Sequence, residues 1–445
     1  MKDCGQHWNF TRRSFLFGAA SAANFALLNT HADAETTMQP VIMRNTAKTC
    51  VFINLAGAPS QLDTFAPKDG PWNLPDADLR QYPGGIVLSQ KLWPNISRLA
   101  GDMCVLRSVR SVEAVHERGQ FYLQTTHSFN PSSAADLPHI GAVCAKERAG
   151  AGVMSPFVAV NAGQIQGSAI LDGKFSPFTP SINRNGIPTL QHCCVPDPKT
   201  RFQQRLAFLD QLEAPLAKNP FSTEAANLQS YVTAARGMMY NDAIAASFKF
   251  SAQEEARYGN TDLGRSLIVI RNLVRAKNGA VFLTTTFGGW DLHFNMYDPG
   301  LRGNFQSQAA TLDRAVYEFI SDLKASGDLA STLVLMMGEF GRGPGDLNPR
   351  GGRDHWPDAL CAVMMGGGVK GGRTIGDMDS QGAYIVTPGW SADREIFMED
   401  IAATIYSALG VNWTKETTDT PTGRLYEYVP GSSRRLYQPV DEVFA

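Results

Sequence analysis

Residues 338–372, GEFGRGPGDLNPRGGRDHWPDALCAVMMGGGVKGG, decide how this chain is read, because they set a carboxylate, a histidine and three arginines in glycine-rich loops between apolar runs. The runs are Thr332–Met337 (TLVLMM) and Leu360–Met365 (LCAVMM). Both are short, continuous and bounded by turn residues, the pattern of strands buried on both faces of a parallel sheet. Ligands of such sheets gather where strands end. Glu339 follows the first run directly, and Asp354 and His355 come just ahead of the second. The spacing therefore predicts a loop that brings these residues to one rim of the sheet.

Outward from this stretch, strand and helix patterns alternate, which predicts an α/β fold. Strands are expected at 49–56 (TCVFINLA), 103–108 (MCVLRS), 157–161 (FVAVN) and 280–286 (AVFLTTT). Helices are expected at 117–126, 262–277, 304–325 and 395–410. Between 162 and 262 the character changes. A Gly-, Ser- and Pro-rich stretch runs to Pro198, and helical patterns follow at 200–214 and 223–258, which reads as a cap-like insertion. No internal repeat is visible.

The amino terminus carries Thr11-Arg12-Arg13-Ser14-Phe15-Leu16, then a weakly apolar alanine-rich run, then Ala32-Asp33-Ala34. A basic start, a short apolar region and a small-x-small site predict a removable twin-arginine signal over 1–34. A membrane span would need roughly 20 apolar residues. The mature chain, 35–445, is then expected in the periplasm or outside the cell, with no stable membrane span and with the twin-arginine translocation machinery as a partner. A net charge of −2 with no dense basic run argues against nucleic acid. Six cysteines remain after the signal, none in paired C-x-x-C spacing. Cys50, Cys104 and Cys361 lie in apolar runs and read as core; His192-Cys193-Cys194 reads as loop or disulfide rather than a metal knuckle.

Asp291 and His293 sit in Gly288-Gly289-Trp290-Asp291-Leu292-His293, just after the run AVFLTTT. On extended backbone, residues two apart point the same way, so carboxylate and imidazole can converge on one ion. Asp63, His116, Glu339, Asp354 and His355 supply further oxygen and nitrogen donors at expected strand ends, a mixed set suited to zinc, manganese, calcium or magnesium. Each acid read alone is equally a solvated loop charge or a helix cap. The glycines at 366–372 lack the spacing of a phosphate loop, and no G-x-S-x-G elbow occurs, so a serine hydrolase has little support.

Four motifs carry a resemblance: Gly57-Ala58-Pro59-Ser60-Gln61-Leu62-Asp63-Thr64-Phe65, Gly289-Trp290-Asp291-Leu292-His293, Gly338-Glu339-Phe340-Gly341-Arg342 and Gly352-Arg353-Asp354-His355-Trp356-Pro357. In order and spacing they resemble a bacterial, twin-arginine-exported domain-of-unknown-function family, the "fifteen-oh-one" family, over nearly all the mature chain. That family is grouped with the alkaline phosphatase and sulfatase superfamily. The resemblance implies a parallel-rich central sheet sandwiched between helices and a metal-assisted site for phosphate or sulfate esters. It implies metal ligands at Asp63, Asp291, His293, Glu339 and His355, to which the residue pattern adds Asp354, and it places His116, ahead of the helix QFYLQTT, where a nucleophile stands. Departures accompany the match: the sulfatase Cys/Ser-x-Pro-x-Arg motif is missing, Asp291 and His293 are more closely spaced than usual, and Phe340 replaces a ligand histidine. Ala66 stands where an Asp is common, and Thr126-His127 where Thr-Gly is usual.

Two functions are consistent with this. One is an exported metal-dependent hydrolase of phosphate or sulfate esters, with His116 as general base or nucleophile and Arg342 and Arg353 holding the anionic group of the substrate. The other is a non-catalytic exported binding or assembly protein on the same fold.

Overall fold

The computed structural model describes residues 41–74, 76–150, 152–182, 188–189, 199–218, 223–239, 241–418 and 423–444. The expected signal segment and Cys193-Cys194 lie outside the described residues. Residues from Met43 onward form one compact unit.

Seven strands make the main sheet: β1 (Thr49–Asn54), β2 (Met103–Val109), β3 (Phe157–Val160), β4 (Phe282–Thr286), β5 (Thr332–Met337), β6 (Leu360–Met365) and β7 (Arg373–Ile375). Their order across the sheet is β7-β2-β6-β5-β1-β4-β3. β1 pairs in parallel with β4 and β5, β3 with β4, and β7 with β2. β6 alone is antiparallel, to both β5 and β2. This corrects the reading of its apolar run as a parallel strand. Continuous apolarity reports burial on both faces, which a central strand has in either direction. The reversal is what makes the rim expectation work: Ala362 pairs with Met337, so β6 begins where β5 ends. A parallel β6 would have begun at the far edge.

Helices flank the sheet. They are α1 (His116–Thr125), α2 (Ile140–Arg148), α3 (Lys199–Lys218), α4 (Thr223–Met238), α5 (Asp242–Ser247), α6 (Ala252–Arg257), α7 (Asp262–Ala276), α8 (Phe305–Ser326) and α9 (Met398–Ala408). In α8, Leu312, Val316, Phe319, Ile320 and Leu323 recur at helical spacing and are buried together. Asn304 caps its start by accepting from Ser307 N, and Gly327 closes it at φ +79°. Burial of such faces on the sheet contributes ~1.5–3 kcal/mol per large apolar side chain.

The single helical pattern expected over 223–258 is three helices. Asn241 accepts from Ala243 N and Ile244 N, and Ser251 forms a capping box with Glu254, so each starts a new helix instead of continuing the old one. These helices and the hairpin Ser181–Ile182/Pro188–Thr189 separate β3 from α7. Cys50 and Cys104 are fully buried free thiols, as their apolar runs suggest, and Cys361 is half-buried. At the end of β6, Gly366, Gly367 and Gly368 all have positive φ, forming a tight turn.

Candidate metal and catalytic centre

Residues after β1, β2, β4 and β5 and residues before β6 meet at one rim, the carboxyl edge of the parallel strands. Gly57, three residues past β1, has φ +97°, and a Cβ there would stand 2.8 Å from Asp291 N. Only a glycine lets these two loops close on each other.

Asp291 is the hub. Its Oδ1 lies 2.9 Å from His293 Nε2, 3.4 Å from His355 Nε2, 3.1 Å from His116 Nε2 and 2.6 Å from Arg342 Nη2. His293 Nε2 and His355 Nε2 face each other at 3.0 Å. Behind them, His293 Nδ1 meets Asp354 Oδ1 at 2.7 Å, and His355 Nδ1 meets the Ala114 carbonyl at 2.7 Å. Both partners only accept, so Nδ1 of each ring carries a proton and Nε2 is the nitrogen turned inward. Two ring nitrogens and a carboxylate oxygen thus point at one another. The Arg342 guanidinium meets this group from one side, with Nη2 2.6 Å from Asp291 Oδ1 and Nη1 3.4 Å from His293 Nε2, and a metal ion among the three donors would take them as its ligands.

The residues fit a metal. Donors about 2.0–2.1 Å from a tetrahedral ion stand about 3.3–3.4 Å apart, close to the 2.9, 3.0 and 3.4 Å edges of this triangle. Donor atoms of His116, Asp291 and His355 also lie within 4.8 Å of one another. The rings have the outer hydrogen bonds that orient metal-binding histidines.

His116 opens α1, one residue earlier than the sequence predicts. Its Nδ1 meets Glu339 Oε1 at 2.6 Å. Its Nε2 is buried and, although near Asp291, lacks an aligned hydrogen-bond partner. Such an orphan facing a polar centre is a functional signal. Glu339 is completely buried and spent: Oε1 also accepts from Gly57 N at 3.0 Å and Oε2 from Gln120 Nε2 at 2.8 Å. It orients His116 instead of facing the Asp291 triangle. Phe340, where a further ligand was missed, packs under the imidazoles with ring centroids 5.0 Å from His116 and 4.7 Å from His355.

Three expected participants stand elsewhere. Asp63 and Arg353 form their own buried pair, Arg353 Nε to Asp63 Oδ2 at 2.6 Å, and the Tyr297 hydroxyl donates to the other Asp63 oxygen. Asp354 stands behind His293 and also accepts from Arg350 at 2.8 Å. Arg342 touches the centre, but its donors end on Gly57 O, Ala58 O, Arg353 O and Asp291. Sequence reasoning gave no role to Gln120, which anchors Glu339 and is itself held by Asn54 Nδ2 at 2.7 Å. Its position one helical turn after His116 was the available signal.

Electrostatics follow from these contacts. The hydrogen bond to Glu339 raises His116 above the ordinary imidazole value, against the opposing effect of burial. Burial pushes the Asp291 carboxyl up, but Arg342 and His116 outweigh it and hold it well below the usual range. Burial lowers His355, and the nearby Arg342 and His116 charges add to that. Asp354 is lowered chiefly by its hydrogen bond to His293. Asp291 and Asp354 are thus ionised and His355 neutral near neutral pH, while His116 holds its proton to higher pH than an ordinary imidazole.

Residues 47–438 match the family described as "Protein of unknown function (DUF1501)". The chain belongs to that family. No curated protein matches it. Among solved structures it is similar to the PsFucS1 sulfatase from Pseudoalteromonas sp., at 13% identity over 88% of this chain and 72% of that one, TM-score 0.36. It is similar to a protein in the alkaline phosphatase superfamily from Vibrio parahaemolyticus, at 13% identity over 86% and 72%, TM-score 0.39. A third is the phosphonate monoester hydrolase SpPMH from Silicibacter pomeroyi, at 11% identity over 82% and 74%, TM-score 0.40. Likenesses this faint assign no role to any residue here.

Proposed function

We propose that this chain is an exported, metal-dependent hydrolase of phosphate or sulfate esters. The observation that carries the reading is the His116 ring, with Nδ1 on the buried Glu339 carboxylate and the buried Nε2 3.1 Å from Asp291 Oδ1, turned toward three converging donors. Asp291, His293 and His355 would hold the ion, which draws electron density from an ester oxygen and acidifies water. Two imidazoles and one carboxylate favour a zinc- or manganese-like ion over calcium or magnesium. Glu339 fixes the His116 ring and its Nδ1 proton, the relation of a base to its orienting carboxylate. His116 then takes a proton from the attacking water at Nε2 and returns it to the departing alcohol oxygen.

Turnover tests this on aryl phosphates, phosphodiesters and sulfates. The His116→Gln protein is expected to stay folded and keep metal while losing ~100 to 10,000-fold in rate. The wild-type rate should rise with pH through the raised His116 value, because only the neutral ring accepts a proton. A folded, metal-loaded His116→Gln protein at the wild-type rate removes His116 from the chemistry.

A second reading, a non-catalytic binding or assembly protein, has one observation in its favour. Among the described residues, the side chains that meet Asp291 are His116, His293, His355 and Arg342, with no Ser, Thr or Cys among them to serve as nucleophile. A metal-loaded wild type that turns over nothing on the panel supports it.

The export half of the proposal rests on Arg12-Arg13 and Ala32-Asp33-Ala34. No helix among the described residues is long and apolar enough to cross a membrane. Replacing both arginines with lysine should leave the precursor in the cytoplasm; normal periplasmic yield of that variant would refute the route.

A further inference from the structure

We propose that this protein has a second ligand site, a pocket beside the β2 and β7 edge of the sheet that takes a small carboxylate carrying hydrogen-bond donors on its body. The pocket is built on Arg107, a residue of β2 that is only 7% exposed. Its Nη2 donates to Gly85 O at 3.0 Å. Nη1 stands 3.9 Å from Asp377 Oδ1, beyond hydrogen-bond reach, and Nε, sealed from water, has no partner among the described residues. A guanidinium keeps its charge in a protein, so Arg107 is a permanent buried cation with donors unspent. Buried donors normally find an acceptor, and leaving them unmet costs free energy. An acceptor entering from the adjoining cavity would answer them.

That cavity measures 690 Å³ and is lined by Arg107 together with Lys68, Asn73, Gln81 and Asp377. None of the residues that meet Asp291 in the metal centre lines it. Lys68 is fixed at its wall, with the side chain 18% exposed and Nζ 2.7 Å from Asp377 Oδ1. The same Asp377 oxygen accepts from Met378 N at 2.9 Å, so it is drawn toward Lys68 and the backbone and away from Arg107. A carboxylate in the cavity can therefore accept from the guanidinium and the ammonium together. Asp69 and Asp78 also line the space. With Asp377 they repel further negative charge, and they accept from hydroxyl or ammonium groups on the ligand's body. A sugar acid or an amino acid fits that lining better than sulfate or phosphate, which present acceptors on every side.

The test is calorimetry on the full chain with two pairs of probes, D-glucuronate against its uncharged methyl ester and L-alanine against L-alaninamide. The pairs separate the sugar-acid source from the amino-acid source. In at least one pair the carboxylate should bind about tenfold or more tightly than its counterpart, the scale of a charge-assisted hydrogen bond. Arg107→Met should abolish that binding while metal content stays at the wild-type level. Should Arg107→Met not fold, Lys68→Met reads the same contact from the cavity wall and should weaken binding several-fold with the unfolding midpoint retained. Binding of neither acid overturns the proposal, as does equal binding of acid and counterpart in both pairs. Wild-type affinity in folded Arg107→Met or in Lys68→Met, or inorganic sulfate binding as tightly as the better acid, overturns it as well.

Discussion

Two aspartates from the same set of motifs have opposite fates. Asp291 is an open hub, its side chain 44% exposed and ringed by three imidazoles and a guanidinium. Asp63 is sealed, its side chain 2% exposed, with one oxygen on Arg353 and the other on Tyr297. Both are carboxylates following a strand of the same sheet, and both face an arginine. The difference is satisfaction. Each oxygen of Asp63 accepts from a buried or partly buried donor, Arg353 Nε on one side and the Tyr297 hydroxyl on the other, which closes it off from the centre. Around Asp291, ring nitrogens of His293 and His355 converge with its own oxygen beside the Arg342 guanidinium, an arrangement with room in it for a further ligand. A carboxylate sealed in the interior builds the scaffold; one left half-open among converging imidazoles builds a candidate site.

The sharpest way to break this distinction is to remove the donors. His293→Ala and His355→Ala should each lower metal content, read by elemental analysis, from near one ion per chain toward background, with the fold retained. Full metal in either folded variant would take that histidine out of the ligand set. If both kept full metal, Asp291 would be as structural as Asp63.

The sealed pair should respond in the other currency, stability. Arg353→Met leaves the Asp63 charge buried without its partner, and such a loss costs ~3–5 kcal/mol. Denaturant unfolding should show it, while metal per folded chain stays unchanged. An Arg353→Met protein of normal stability that has lost its metal would mean that the two regions are one site.

The smallest effect sharpens the boundary between them. Asp354 touches no converging lone pair; it holds the Nδ1 proton of His293 from the solvent side. Asp354→Asn keeps the shape and weakens that orientation, so metal affinity, measured by competition with a chelator, should fall about 10–100-fold without loss of stability. Complete loss of metal would promote Asp354 into the ligand set, and no change would confine the site to the inner triangle.

The sequence by itself determined the element types and the rim. Continuous apolar runs such as TLVLMM and LCAVMM mark central strands whatever their direction, and glycine-rich turns beside Glu339, Asp291 and His355 mark the strand ends where loops meet. The motifs also carried the family, since their order and spacing are written in the chain. Only the tertiary structure decided the direction of β6, because hydrophobic burial has no polarity along a strand. Only it divided six expected ligands into an inner triangle of Asp291, His293 and His355, two orienting carboxylates in Glu339 and Asp354, and the scaffold carboxylate of Asp63. Residue type states what a side chain can do, but which donors and acceptors remain unspent depends on partners far away in sequence. Glu339 meets His116 across 223 residues and Asp63 meets Arg353 across 290, and no local pattern encodes those encounters.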